Sequence, residues 1–269
     1  MDDATGMPAT AKVVVRGLVK EYDDFQRGKV RAVDGLTFEA HAGEIMGLLG
    51  PNGAGKTTAL RILSTLLHPT DGVALVNGFD CQQQSELVRR QIGFISANTA
   101  VYDRMTAYEF VEYFGKLHGM GGVELTRRID KLFDQLEMQS MRDTLGAKMS
   151  TGMKQRASIA RALIHDPPVL IFDEATNGLD VLAARAVLDT VSHLREQGKC
   201  LIFSTHIMRE VERLCDRVAV MHRGRILTQG SIEELRGQHE EQDLEELFFQ
   251  LIREAEASCE APNGEAAQA

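Results

Sequence analysis

Residues Gly50 to Thr58 read GPNGAGKTT, directly after the apolar run EIMGLL and directly before a stretch with helical spacing. The pattern G-x-x-x-x-G-K-[ST], set between a strand and a helix, demands a backbone that curls until its N–H groups face one point. Glycines permit that curl, and the helix that follows adds the positive end of its dipole. Such a loop cradles phosphate, so the chain is expected to bind a nucleoside triphosphate. Gly50, Pro51, Asn52, Gly53, Ala54, Gly55, Lys56, Thr57 and Thr58 are the candidate contacts. Lys56 is expected to reach the β- and γ-phosphates and the Thr57 hydroxyl to ligate Mg²⁺.

A strand feeding a helix through this loop belongs in a sheet of similar units, and the chain supplies them. KVVVRGLVKEY (Lys12 to Tyr22) and GLTFEAHAGEIMGLLG (Gly35 to Gly50) have strand character, and a helix is expected from about Lys56 to Leu67. GVALVNG, IGFIS, PVLIFDE and CLIFST read as further strands, and RVAVMHRGRILTQG as a hairpin-like pair. VLAARAVLDTVSHLREQG and MREVERLCD read as helices between them. Alternating strands and helices imply a parallel sheet covered on both faces. TAYEFVEYFGKLHGM and LTRRIDKLFDQLEM interrupt that rhythm, so a helical subdomain is expected at about 97–146. Residues 1–11 read as a flexible start and 257–269 as a disordered tail, leaving 12–256 as one domain.

Two strand ends carry chemistry. VLIFDEATNGLD places Asp173 and Glu174 where an apolar strand stops. An Asp there can hold Mg²⁺ beside a phosphate loop. Glu174, next in an extended chain, points the other way and could polarise a water in line with the γ-phosphate. STHIM repeats the geometry, with His206 just past the strand CLIFST.

Composition narrows the class. The 269 residues carry a net charge of −9, which argues against a nucleic-acid surface. Apolar residues make up 43%, enough for a real core, and no run approaches a membrane span. Cys81, Cys200, Cys215 and Cys259 have neither metal-ligand nor disulfide spacing, so a cytoplasmic protein with reduced thiols is expected.

With these motifs in this order, residues 12 to 250 resemble the ATP-binding subunits of ABC transporters. Gly50 to Thr57 matches the family's Walker A loop, LIFDE with Asp173 and Glu174 its Walker B strand, and NGLD (Asn177 to Asp180) its D-loop. His206 matches the switch histidine, Tyr22 the aromatic that stacks on adenine, and Val33 a residue packing nearby. Met149-Ser150-Thr151-Gly152-Met153 stands where the family usually has Leu-Ser-Gly-Gly-Gln. The fold implied is α/β: a P-loop NTPase core with an inserted α-helical subdomain and an N-terminal antiparallel β region. The resemblance implies ATP and Mg²⁺ as cofactors, an integral-membrane permease as partner, and a second ATP-binding subunit, with no nucleic acid. In that pairing Ser150, Thr151, Gly152 and Asp180 would contact the partner's ATP, and Lys56, Glu174 and His206 would serve hydrolysis. The protein would sit on the inner face of the cell membrane.

Three departures matter. Thr151 replaces a glycine, which the backbone tolerates only at negative φ. Met153 replaces a glutamine and cannot make its hydrogen bonds. Ala97 stands where the family places a glutamine that touches Mg²⁺ and the attacking water, and Asn98 is the candidate substitute. The STGMKQR signature, the glutamine-poor segment before VYDRMTAYEF, and DLEELFFQLIREAE resemble the sodium-extruding branch of bacterial exporter ATPases. An exporter subunit for a drug or other small molecule, a regulatory ABC-type ATPase with weak turnover, and a soluble ABC-type ATPase of DNA repair or ribosomes are the alternatives.

Overall fold

The computed structural model describes residues 11–26, 28–97, 100–239 and 241–260, with residues 258–260 described by backbone alone. Strand β1 (Ala11–Asp24) pairs antiparallel with both β2 (Gly28–His41) and β4 (Asp71–Val76), and β5 (Phe79–Asp80) continues the sheet at the β4 edge. The second sheet holds β3 (Ile45–Leu49), β6 (Ile92–Ser96), β7 (Val169–Asp173), β8 (Cys200–Thr205), β9 (Arg217–His222) and β10 (Arg225–Ser231), in the order β10-β9-β3-β8-β7-β6. All its neighbours run parallel except β10, which folds back on β9. The link is Arg223-Gly224, with φ of 45° and 82°, the mirror-image turn that matches the twist of a hairpin.

The apolar run from Gly35 to Gly50 proves to be two strands in different sheets. Gly43 at φ 72° makes the break, and the Glu44 carboxylate accepts the His41 N–H at 2.7 Å. Helix α1 (Lys56–Leu63) also stops short of the expected Leu67. Ser64 turns its hydroxyl back onto Leu60 O at 2.9 Å, and Thr65 follows at φ 61°.

The parallel strands are buried on both faces, as their unbroken apolar runs require. Val169, Ile171, Cys200 and Ile202 face one core, with Leu60 and Leu63 of α1 and the antiparallel sheet. Leu170, Phe172, Leu201 and Phe203 face the other. There they meet α5 (Thr151–Leu163), α6 (Val181–Glu196), α7 (Met208–Leu214) and α9 (Leu244–Glu260).

Between β6 and β7 the chain forms α3 (Ala107–Leu117) and α4 (Gly122–Gln135) before reaching α5. Thr106 starts α3 with a reciprocal cap: its hydroxyl accepts from Glu109 N, and Glu109 accepts from Thr106 N at 2.8 Å. The helical layer runs on past residue 146, because the Arg161 guanidinium of α5 lies 5.2 Å from the centroid of the Phe114 ring of α3. Two short helices, α2 (Ser85–Gln91) and α8 (Ile232–His239), and two single-turn 3-10 helices, Gln139–Met141 and Gly146–Lys148, complete the order. Helix α9 continues to Glu260, so residues 257–260 of the expected tail are helical; the rest of that tail and residues 1–10 lie outside the described residues. Among the described residues no helix is long and apolar enough to cross a membrane.

His118 at the end of α3 stacks on His165, which follows α5, at 3.7 Å between ring centroids. Burial, then the neighbouring His118, push the His165 imidazole down to about 4. Unfolded His165 takes its proton below about pH 6.5, so the unfolded state binds more protons between there and pH 4. Stability is therefore complete above that window and falls as pH drops through it. The expected loss from His165 is ~2 kcal/mol by pH 5. Thermal unfolding at pH 7.5 and 5.0 checks this, and His165→Phe should shrink the difference.

Candidate functional site

The site is laid out by strand register. Strand β8 lies between β3 and β7, and Leu49 pairs with Thr205 while Asp173 pairs with Ser204 and Ser96. The carboxyl ends of four parallel strands thus finish in one row. Gly50, His206, Glu174 and Ala97 each come next in the chain, so they share one edge of the sheet, where open α/β folds bind ligands.

The loop after β3 fits only glycine at its tight points. A Cβ on Gly50 would sit 2.4 Å from Met221 O, and one on Gly55, at φ 100°, 2.4 Å from Ala32 O. No side chain caps α1. Among the described residues the N–H groups of Lys56, Thr57 and Thr58 find no acceptor, so they point outward as a set of donors. The Lys56 ammonium folds over the loop, donating to Gly50 O at 2.7 Å and Pro51 O at 3.1 Å, and lies 3.3 Å from Glu174 Oε1. A cleft of about 290 Å³ over these groups is lined by Ala32, Asn52 to Thr58 and Glu174.

Asp173 is nearly buried and held from two sides. Its Oδ1 accepts from Ser204 Oγ at 2.8 Å and from Thr57 Oγ1 at 3.1 Å. Thr57 and Asp173 offer the hard oxygen donors that Mg²⁺ prefers when phosphates and waters fill its other positions. Among the described residues no group of three or more His, Cys, Asp or Glu side chains could hold a metal alone. Glu174 takes a left-handed backbone at φ 49°, fixed where its N–H donates to Ser204 O and Oγ, both at 3.1 Å. His206 Nδ1 lies 3.6 Å from Glu174 Oε1. The turn carrying His206 is tied down by Thr205, whose hydroxyl donates to Glu210 at 2.6 Å and accepts from Ile207 N.

Ser150 caps α5, accepting from Met153 N at 3.2 Å. Thr151 is the first residue of that helix and is absent from the positive-φ residues, so the backbone accommodates it. Gly152 packs against α6, where a Cβ would lie 3.2 Å from Ala183 Cβ. Asp180 caps α6 through Leu182 N and Ala183 N, and the adjacent Val181 and Leu182 are 83% and 80% exposed. Gln155 ties the start of α5 to the segment after Glu174, donating to Ala175 O at 2.9 Å.

Tyr22 is 40% exposed on β1, with the Lys20 ammonium 5.3 Å from its ring centroid. Val33 requires a correction. It is fully enclosed in the core under β2, so it supports the strand and presents no surface to a base. The neighbouring Ala32, on the opposite face, borders the phosphate loop. Ala97 lies beside Asp173, donating to its carbonyl at 3.3 Å, while Asn98 lies outside the described residues.

Ser204 is not legible as a site residue in the sequence, because only the β7–β8 register places it beside Asp173. Its hydroxyl is fully buried against a carboxylate. Ser204→Ala should cost about 1–3 kcal/mol, the worth of a buried hydrogen bond to a charged group. Urea unfolding measures it, and parent-like stability would contradict the assignment.

Comparison with known proteins agrees with this geometry. The profile described as "ABC transporter" matches residues 33–177. The ABC transporter ATP-binding protein NatA of Bacillus subtilis (strain 168) is 40% identical over 226 residues, covering 83% of this chain and 92% of that protein. The protein named "Probable multidrug ABC transporter ATP-binding protein YbhF" of Escherichia coli (strain K12) is 32% identical over 93% of this chain, which spans only 43% of its length. Among solved structures, an ATP-binding subunit of an ABC transporter superposes with a TM-score of 0.79 at 30% identity, covering 89% of this chain and 99% of that one. A dimeric ATP-binding cassette in a post-hydrolysis state, bound to ADP and Pi, superposes at 0.73 with 25% identity, covering 82% and 98%. A loop built for phosphates, a carboxylate pair on the adjoining strand and these likenesses lead to one conclusion: the chain belongs to the ABC transporter family as an ATP-binding domain, and it is an ATPase.

Proposed function

We propose that this chain is the ATP-hydrolysing subunit of a bacterial exporter, driving a separate membrane permease from the cytoplasmic side. The observation that carries the reading is the gathering of Lys56, Thr57, Asp173, Glu174 and His206 at one sheet edge around the phosphate loop. Lys56 and Glu174 mask one another at 3.3 Å. An entering triphosphate offers Lys56 a stronger partner, which releases the Glu174 carboxylate to take a proton from water. His206 would hold the γ-phosphate from the side of β8, and Tyr22 would stack on adenine. When bound, Mg²⁺ would supply charge neutralisation for the phosphates. Thr57 and Asp173 are the side chains that would hold it.

A second copy of the chain completes each site in this proposal. Ser150, Thr151 and Gly152 present the positive end of α5, and Asp180 stands beside them at the start of α6. The dimeric form of the similar cassette supports pairing. Closing two chains over ATP favours one arrangement of the attached permease, and hydrolysis releases it.

The permease sets the cargo. Sodium is the first reading, on the STGMKQR signature and the likeness to NatA. A drug or other small molecule is the second, on the likeness to a protein named for multidrug transport. Radioactive sodium efflux from vesicles holding both subunits separates the two.

Glu174→Gln tests the central step. It should retain ATP binding, lose at least about 100-fold in hydrolysis as general-base removal implies, and become a dimer with ATP by light scattering. A variant as active as the parent would remove Glu174 from this role.

A further inference from the structure

A second cavity, of about 430 Å³, opens on the other side of Thr57, Asp173 and Glu174. Ala97 and Arg61 also line it. Arg61 lies four residues beyond Thr57 on α1, so both side chains lie on one face of that helix. Side chains on a helix lean toward its N-terminus, which carries the long Arg61 chain back over the turn that holds Thr57. Its bland role is a cation in the last turn of α1, complementing the helix dipole. That role does not require it to border the carboxylate pair. Among the described residues its guanidinium has no hydrogen-bond or ion-pair partner. Ala97, also on the lining, has no polar side-chain atom to offer a ligand. The chamber lining therefore brings one unpaired cation together with two carboxylates and the hydroxyl expected at the metal, alongside the polar Ser96, Thr151 and Asn177.

We propose that Arg61 contacts the γ-phosphate from this chamber, where Ala97 itself offers no polar side-chain atom. The inference rests on the placement of the triphosphate given under the proposed function. In hydrolysis the water oxygen bonds to the γ-phosphorus as the bridging bond to ADP breaks, and the water proton passes to Glu174. Negative charge stays on the outer phosphate oxygens, and a planar guanidinium can hold two of them at once. Arg61 would thus distinguish ATP from ADP and hold the phosphate as it leaves.

The test uses the full chain with Glu174→Gln, so that ATP persists, and titrates ATP and ADP calorimetrically with Arg61→Ala, Arg61→Lys and Lys56→Ala added singly. Arg61→Ala should reduce the preference for ATP over ADP about tenfold, the size of one charge-assisted hydrogen bond, with ADP affinity unchanged. Arg61→Lys should recover part of it. In the hydrolysing chain, Ala97→Gln should restore part of the turnover that Arg61→Ala removes. An unchanged ATP preference in Arg61→Ala, with Lys56→Ala abolishing ATP binding, overturns the Arg61 assignment alone. ATP binding that survives Lys56→Ala overturns the triphosphate placement as well.

Discussion

Asp173 Oδ1 accepts two hydroxyl hydrogen bonds, from Ser204 at 2.8 Å and Thr57 at 3.1 Å, and those bonds tie two neighbouring strands and a helix to one oxygen. Ser204 belongs to β8, Asp173 to β7, and Thr57 to the helix that leaves β3. A shift of one residue in the β7–β8 register would turn Ser204 to the other face and leave a buried carboxylate half-paired. The apolar alternation of Val169 to Phe172 against Cys200 to Phe203 opposes that shift, since it would exchange the two cores. Packing at the centre of the sheet thus fixes chemistry at its edge.

The same edge stores local strain. Glu174 adopts a left-handed backbone that side chains with a Cβ seldom take, and Ser204 holds it there with its carbonyl and its hydroxyl. Gly50 and Gly55 let the loop pass against Met221 O and Ala32 O, so β9 and β2 both brace the phosphate cradle from behind. Gly224, in the β9–β10 turn, adds a hydrogen bond from its N–H to Ala54 O at 3.0 Å. The helical layer joins through Gln155, which links the start of α5 to the chain just past the carboxylate pair. A change in how α5 sits would be felt at Ala175, one residue from Glu174.

What could be read from sequence was what is local. The phosphate loop declares itself because its glycines, lysine and threonine are contiguous, and strand ends show where an apolar run meets charge. The Gly35–Gly50 run hid its break, since one glycine changes the backbone direction without interrupting the apolar pattern. Val33 was misplaced for a reason of period: neighbouring residues on a strand face opposite ways, and Ala32 is the one beside the loop. Ser204 and Arg61 depend on register and on the space left by a small residue at 97, and neither leaves a mark in the sequence alone. Helix α8 escaped because a single buried residue, Leu235, anchors it.

The claim underlying the whole account is that Asp173, positioned by Ser204 and shared with Thr57, is where the divalent cation of bound ATP meets the protein. Calorimetric ATP affinity, measured for the parent and Asp173→Asn with Mg²⁺ and again with EDTA, addresses it directly. The account predicts equal affinities in EDTA and a gain on adding Mg²⁺ that the parent shows and the variant loses. An equal gain from Mg²⁺ in both proteins would contradict it.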